Sequence, residues 1–121
     1  MVVEDDGGLR ELYRAALRGA GYRVVAVDDG LPALRSVEAR RPSAVVLDLG
    51  LPRLGGRDVQ RELRSHPETH TIPIVIVSGN DVSDLNPNDV GCVLRKPISS
   101  DRLIVAVQDC LRRSARTAAT T

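Results

Sequence analysis

The sequence predicts an α/β protein: a doubly wound, five-stranded parallel sheet with helices on both faces. Three observations carry this. Apolar runs of strand length ("VVAV", "AVVL", "IVIV") alternate with segments of helical spacing. Each run is apolar throughout, as a strand covered on both faces requires. Strands separated by helices imply parallel pairing through crossovers.

The elements follow in order. Met1 to Val3 is a short first strand. Gly8 to Ala20 places Leu9, Leu12, Tyr13, Ala16 and Leu17 at helical spacing, and Gly21 stops that helix. Tyr22 to Val27 is the second strand, and Asp28-Asp29-Gly30 turns the chain into a helix over Leu31 to Arg40. Pro32 is tolerated in its first turn, and Pro42 lies beyond its end. Ala44 to Leu47 is the third strand. A helix follows Gly55-Gly56 and runs to about Ser65, with Val59 and Leu63 one turn apart and Pro67 beyond. Ile72 to Val77 is the fourth strand, and Val90 to Leu94 the fifth. Ser99 or Ser100 caps a last helix with Leu103, Val107, Cys110 and Leu111 as its buried stripe. Residues 1–113 form one domain, and Ser114 to Thr121 reads as a polar, loosely ordered tail or the start of a linker.

Composition narrows the function. A chain of 121 residues is long enough to bury a core without disulfides or metals. Two Tyr and no Phe or Trp make that core aliphatic. A net charge of +1 argues against a nucleic-acid or membrane-surface footprint over the whole chain. No apolar run is long enough to span a bilayer and no leader pattern is seen, so a cytoplasmic location is expected. Cys92 and Cys110 fit no metal or redox spacing and read as reduced, buried thiols. His66 and His70 lack ligand partners at useful spacing and read as exposed.

Doubly wound sheets bind ligands beyond the carboxyl ends of their strands. Here those ends carry Glu4-Asp5-Asp6, Asp48, Ser78-Gly79 and Lys96-Pro97. Crowded carboxylates repel unless a cation joins them. Mg²⁺, which takes oxygen ligands and keeps several waters, suits them. An aspartate at the end of a buried strand can attack phosphorus to form an aspartyl phosphate. Lys96 and the metal would offset phosphoryl charge, and Ser78 would donate to a phosphoryl oxygen. Each residue also has a plainer reading: Ser78 as a turn residue, Lys96 as a surface lysine, Asp48 as a cap. None of these explains why they share one rim. Asp6 reads as an acidic first-turn residue that favours the helix dipole, and Gly55-Gly56 is not a phosphate loop because no GK[ST] follows.

Four stretches, "VVEDD", "VVLDLGLPRLGG", "IPIVIVSG" and "LRKP", occur in this order at strand ends. Together they resemble the receiver domain of two-component response regulators, over Met1 to about Arg113. The resemblance implies a flavodoxin-like strand order of 2-1-3-4-5, which is taken from the family and not read from spacing. It implies Asp48 as phospho-acceptor, and Glu4, Asp5, Asp48 and the Gly50 backbone carbonyl as Mg²⁺ ligands. It implies Ser78 as the hydroxyl that meets the phosphoryl group, Lys96 as its cation, and a cis Lys96-Pro97 bond. Pro52 and Gly56 match the loop after the acceptor strand. The implied partners are a sensor histidine kinase or a histidine phosphotransfer protein, an output partner or fused output domain, and a phosphorylation-dependent second copy. No catalysis beyond the domain's own phosphorylation and dephosphorylation is implied.

Three departures qualify the likeness. The first strand is short. The Ser78–Lys96 segment is compressed, so the fourth helix is expected to be short or missing. Val93 stands three residues before Lys96, where the family carries an aromatic switch, and valine has no ring to swing. These departures keep a second reading alive, a phosphorylation-independent pseudo-receiver that acts through its surface. A Mg²⁺-dependent phosphohydrolase ranks below both, because Gly50 stands two residues after Asp48 where a general acid would be needed.

Overall fold

The computed structural model describes residues 1–79 and 92–120. Among them the order is β1 (Val2–Val3), α1 (Gly7–Gly19), β2 (Ala26–Val27), α2 (Gly30–Ala39), β3 (Val45–Asp48), α3 (Gly56–Ser65), β4 (Ile74–Ser78), β5 (Cys92–Arg95) and α4 (Ser100–Thr120). All four strand pairings are parallel, in the order β2-β1-β3-β4-β5. The helix expected to be short or missing falls on residues 80–91, outside the described residues, as does the expected start of β5 at Val90.

The apolar runs divide between two faces because successive strand side chains point opposite ways. Val45, Leu47, Ile74 and Ile76 pack with Ala33 and Val37 of α2 and with Val59 and Leu63 of α3. Val46, Val75 and Val77 pack with Tyr13 and Leu17 of α1 and with Leu103, Val107 and Cys110 of α4. Each fully buried aliphatic side chain contributes about 1.5–3 kcal/mol of transfer free energy. This two-sided burial is why the strands carry no polar alternation.

Helix ends follow local chemistry. Asp6 caps α1, with its carboxylate accepting from the Leu9 N–H at 2.9 Å. Gly21, at φ 99°, closes α1: its N–H donates to the Arg18 carbonyl and the Tyr22 N–H to the Leu17 carbonyl. The Ser99 hydroxyl caps α4 by accepting from the Arg102 N–H at 3.2 Å.

Three boundaries differ from the sequence reading. β2 is only Ala26–Val27 and not Tyr22–Val27, because its ladder partner β1 begins at Val2. β4 begins at Ile74 and not Ile72, since Pro73 has no N–H and the Ile72 N–H turns back to the Thr69 carbonyl. Helix α4 continues through Thr120, past the point at Ser114 where a loose tail was expected. That segment lacks Gly and Pro and carries three Ala, the strongest helix former.

The loop between β3 and α3 is tightly seated. A Cβ at Gly56 would lie 2.4 Å from the Asp48 carbonyl oxygen and 2.6 Å from Leu49 Cα. Both neighbours are backbone and cannot move aside cheaply. A groove of about 380 Å³ opens at the amino ends of the strands, between residues 22–25 and 40–44, far from this loop. Gly56→Ala is expected to lower stability by about 1–3 kcal/mol. Gly19→Ala, with open space at its Cβ, is expected to raise it by about 0.5–1 kcal/mol. Urea denaturation midpoints of the two variants check both signs.

Candidate functional site

The parallel register places the chemistry. Val3 pairs with Leu47, so Glu4 emerges beside Asp48. Asp48 pairs with Val77 and Ser78 with Arg95, so Ser78 and Lys96 emerge on the same rim. The Lys96 N–H donates to the Ser78 carbonyl at 3.0 Å and extends the ladder one step. The Lys96-Pro97 peptide is cis.

Lys96 reaches across this rim. Its Nζ lies 2.8 Å from Glu4 Oε1 and 3.4 Å from Asp48 Oδ2. Glu4 and Asp48 are buried, and Ser78 is buried beside them. Asp48 Oδ1 accepts from the Gly50 N–H at 3.0 Å. Arg10 Nη1 donates to the Glu4 carbonyl at 3.0 Å and to the Asp5 carbonyl at 3.3 Å, which ties the end of β1 to α1.

The charges are not independent. Burial pushes the Glu4 carboxyl up to about 7, with Asp48 adding to the rise and Lys96 opposing it. Asp48 moves the other way. Burial would raise it, but hydrogen bonding from Glu4, the Gly50 N–H and the Lys96 ammonium hold it below its ordinary value. The pair therefore shares its proton unequally: Glu4 is the carboxyl that protonates first, and Asp48 is kept as the anion.

The donor set suits a hard divalent cation. Glu4, Asp5 and Asp48 each offer an oxygen, and these lie within 4.8 Å of one another. All donors are oxygen and Asp5 is exposed, which leaves room for waters on the open side. Glu4 Oε1 is buried without a hydrogen bond; its 2.8 Å contact to Lys96 is ionic and not well directed. Such an oxygen gains from a cation.

Comparison with known proteins accounts for this arrangement. The sequence model of the response regulator receiver domain matches residues 1–108. The chain belongs to the response regulator receiver domain family. Response regulator MprA of Mycobacterium sp. (strain KMS) is 38% identical over 119 residues, covering 95% of this chain and 51% of that protein. The receiver chain thus spans about half the length of the curated relatives it matches. Among solved structures, a sensor protein from Polaromonas sp. JS666 superposes with a TM-score of 0.86 at 29% identity, covering 93% of this chain and 94% of that one. The receiver domain of NtrX from Brucella abortus superposes with a TM-score of 0.79 at 26% identity, covering 92% and 96%.

Every site residue named from the sequence can be placed on this receiver fold. Glu4, Asp5, Asp48, Ser78 and Lys96 gather at the carboxyl rim. Gly50 is exposed just after Asp48, and Val93 points outward from the edge strand β5 at 40% exposure. Both histidines are exposed, with His66 paired to Glu62. Among the described residues no helix is long and apolar enough to cross a membrane.

Asp29 is the residue the sequence reading missed. The Asp-Asp-Gly sequence reads as a turn and helix entry, yet the Asp29 side chain is fully buried. It accepts from Arg53 Nε at 3.0 Å, the Arg53 N–H at 3.3 Å and the Leu54 N–H at 3.4 Å. Burial would raise its pKa, but these donors hold it below the ordinary 3.8. A carboxyl with a depressed folded pKa stabilises the protein above its unfolded pKa and loses that contribution as pH falls through the folded value. Asp29→Ala is therefore expected to cost about 2 kcal/mol at neutral pH. The gap to wild type should shrink as pH drops below 3.8, and thermal melts across a pH series check this.

Proposed function

We propose that this receiver domain takes a phosphoryl group from a phosphohistidine onto Asp48, with Mg²⁺ held by Glu4, Asp5, Asp48 and the Gly50 carbonyl. The observation that carries the proposal is Asp48 itself. It is a buried carboxylate kept ionised by Lys96 and the Gly50 N–H, at the mouth of an oxygen-donor cluster. An Asp48 oxygen attacks phosphorus, the N–P bond breaks, and its electron pair stays on the imidazole, which takes up a proton. Bound Mg²⁺ would supply positive charge against the phosphoryl oxygens. Lys96 supplies a second cation, and the Ser78 hydroxyl is suited to meet a phosphoryl oxygen.

The consequence for signalling follows from charge. A phosphoryl group on Asp48 brings new acceptor oxygens and negative charge beside Lys96 and Ser78, and so biases the loops that carry them. Leu12, 46% exposed on α1, offers an apolar contact for a histidine-bearing kinase or phosphotransfer protein. The output partner is a fused output domain or a separate protein. Val93 in place of an aromatic switch puts the readout on backbone and loop motion.

Intact mass after incubation with acetyl phosphate and Mg²⁺ tests this. One phosphoryl adduct is expected, dependent on Mg²⁺ and lost in Asp48→Ala. A folded protein that gains no adduct would leave the fold acting through its surface alone. Lys96→Ala is expected to accept the group yet lose the change in partner binding that phosphorylation causes. A Cβ at Gly50 would meet only Asp48 Oδ1, at 3.7 Å, so a larger residue fits there. Gly50→Asn is expected to lengthen the adduct half-life by screening it from water. A half-life no longer than wild type contradicts that role.

A further inference from the structure

We propose that Asp29 is a positioning residue for the acceptor site. By holding Arg53 and Leu54 it fixes the 49–55 loop so that the Gly50 N–H stays on Asp48. It thereby sets how fast the phosphoryl group is gained and lost. The proposal rests on the reading of Asp48 as acceptor.

The geometry points to this in three ways. First, Asp29 occupies the N-cap position of α2, but its side chain makes no capping hydrogen bond to that helix. Its carboxylate is instead committed to the loop, 24 residues away in sequence, through the three hydrogen bonds from Arg53 and Leu54. The Gly30 backbone also helps hold the Asp29 carboxylate ionised, but the loop donors from Arg53 and Leu54 are what a buried carboxylate needs to offset its desolvation here. Second, the backbones touch. A Cβ on Gly30 would lie 2.4 Å from the Leu54 carbonyl oxygen, so the start of α2 lies directly against the loop. Third, the rest of the loop is already pinned. Leu49 and Leu51 are buried in the core beside Val59 and Ala33. Gly56 abuts the Asp48 carbonyl, and its N–H donates to the Leu49 carbonyl at 3.4 Å. Gly50 stands exposed between two buried leucines. With Arg53 and Leu54 clasped, its N–H has little freedom except to face Asp48. Release of the clasp frees the one stretch that carries this donor.

The reacting oxygen must sit in line with phosphorus, and small misplacements of reacting groups are costly in rate. The test compares wild type with Asp29→Ala, Asp29→Asn and Arg53→Ala. The control, Val107→Ala, is a core variant on the opposite face of the sheet. Formation and decay of the acetyl-phosphate adduct are timed at a temperature where every variant is folded. Asp29→Ala is expected to slow adduct formation by about tenfold and to change its half-life. Asp29→Asn, which keeps an acceptor, should recover part of the rate. Arg53→Ala should show the same direction at smaller size, and it remains informative if Asp29→Ala does not fold, because the Arg53 side chain is 71% exposed. Val107→Ala should leave both rates near wild type despite lost stability. Rates in Asp29→Ala or Arg53→Ala that match Val107→Ala overturn the proposal. Amide exchange at Gly50 in the unphosphorylated protein reads the clasp without any phosphoryl chemistry. Faster exchange in the Asp29 and Arg53 variants, but not in Val107→Ala, is expected. If wild type gains no adduct, the acceptor reading fails while this exchange result still decides the clasp.

Discussion

Two buried carboxylates and one lysine, held together by strand register, are the constraint on which the rest of the structure depends. Glu4 and Asp48 leave adjacent parallel strands side by side, and Lys96 spans them from two strands further along. Burying charge in this way is a poor route to stability, since the desolvation of each ion offsets most of the attraction. An aliphatic trio would serve the core better. The cluster makes sense as a site that stays short of positive charge. Lys96 meets both carboxylates, yet burial, with Asp48 adding to it, still pushes Glu4 up to about 7, so one lysine does not offset the cost of burying the pair.

The scaffold around the cluster is correspondingly rigid where it must be. The strands under Asp48 are buried on both faces, and the loop after it is fixed by Gly56 below, by Leu49 and Leu51 within, and by Asp29 at its far end. The open side faces outward through Asp5 and Gly50, which are exposed to solvent. Sequence, packing and chemistry thus meet at one loop. Gly56 permits the close backbone contact beneath Asp48, while Gly50 leaves open space beside its carboxylate.

Much of this was legible in the residues. The unbroken apolar runs announced two-sided strands, and the polar residues ending those runs named the rim and its members. What was not legible has physical reasons. The buried role of Asp29 depends on a contact 24 residues away, and Asp-Asp-Gly reads the same whether its carboxylate is solvated or clasped. An Arg beside a loop Pro, with an Asp ending the edge strand, was the available hint. The shortness of β2 could not be read from "YRVVAV" because strand length is set by the partner, and β1 offers only two residues. The helical continuation past Ser114 is hidden by the polar Ser and Thr of that segment, although its three Ala favour helix and no Gly or Pro stops it.

Anomalous diffraction from crystals grown with Mn²⁺, a Mg²⁺ surrogate, tests the central claim most directly. The account predicts one peak bounded by the carboxylates of Glu4, Asp5 and Asp48. A peak centred elsewhere, or none while Lys96 still bridges Glu4 and Asp48, would contradict it.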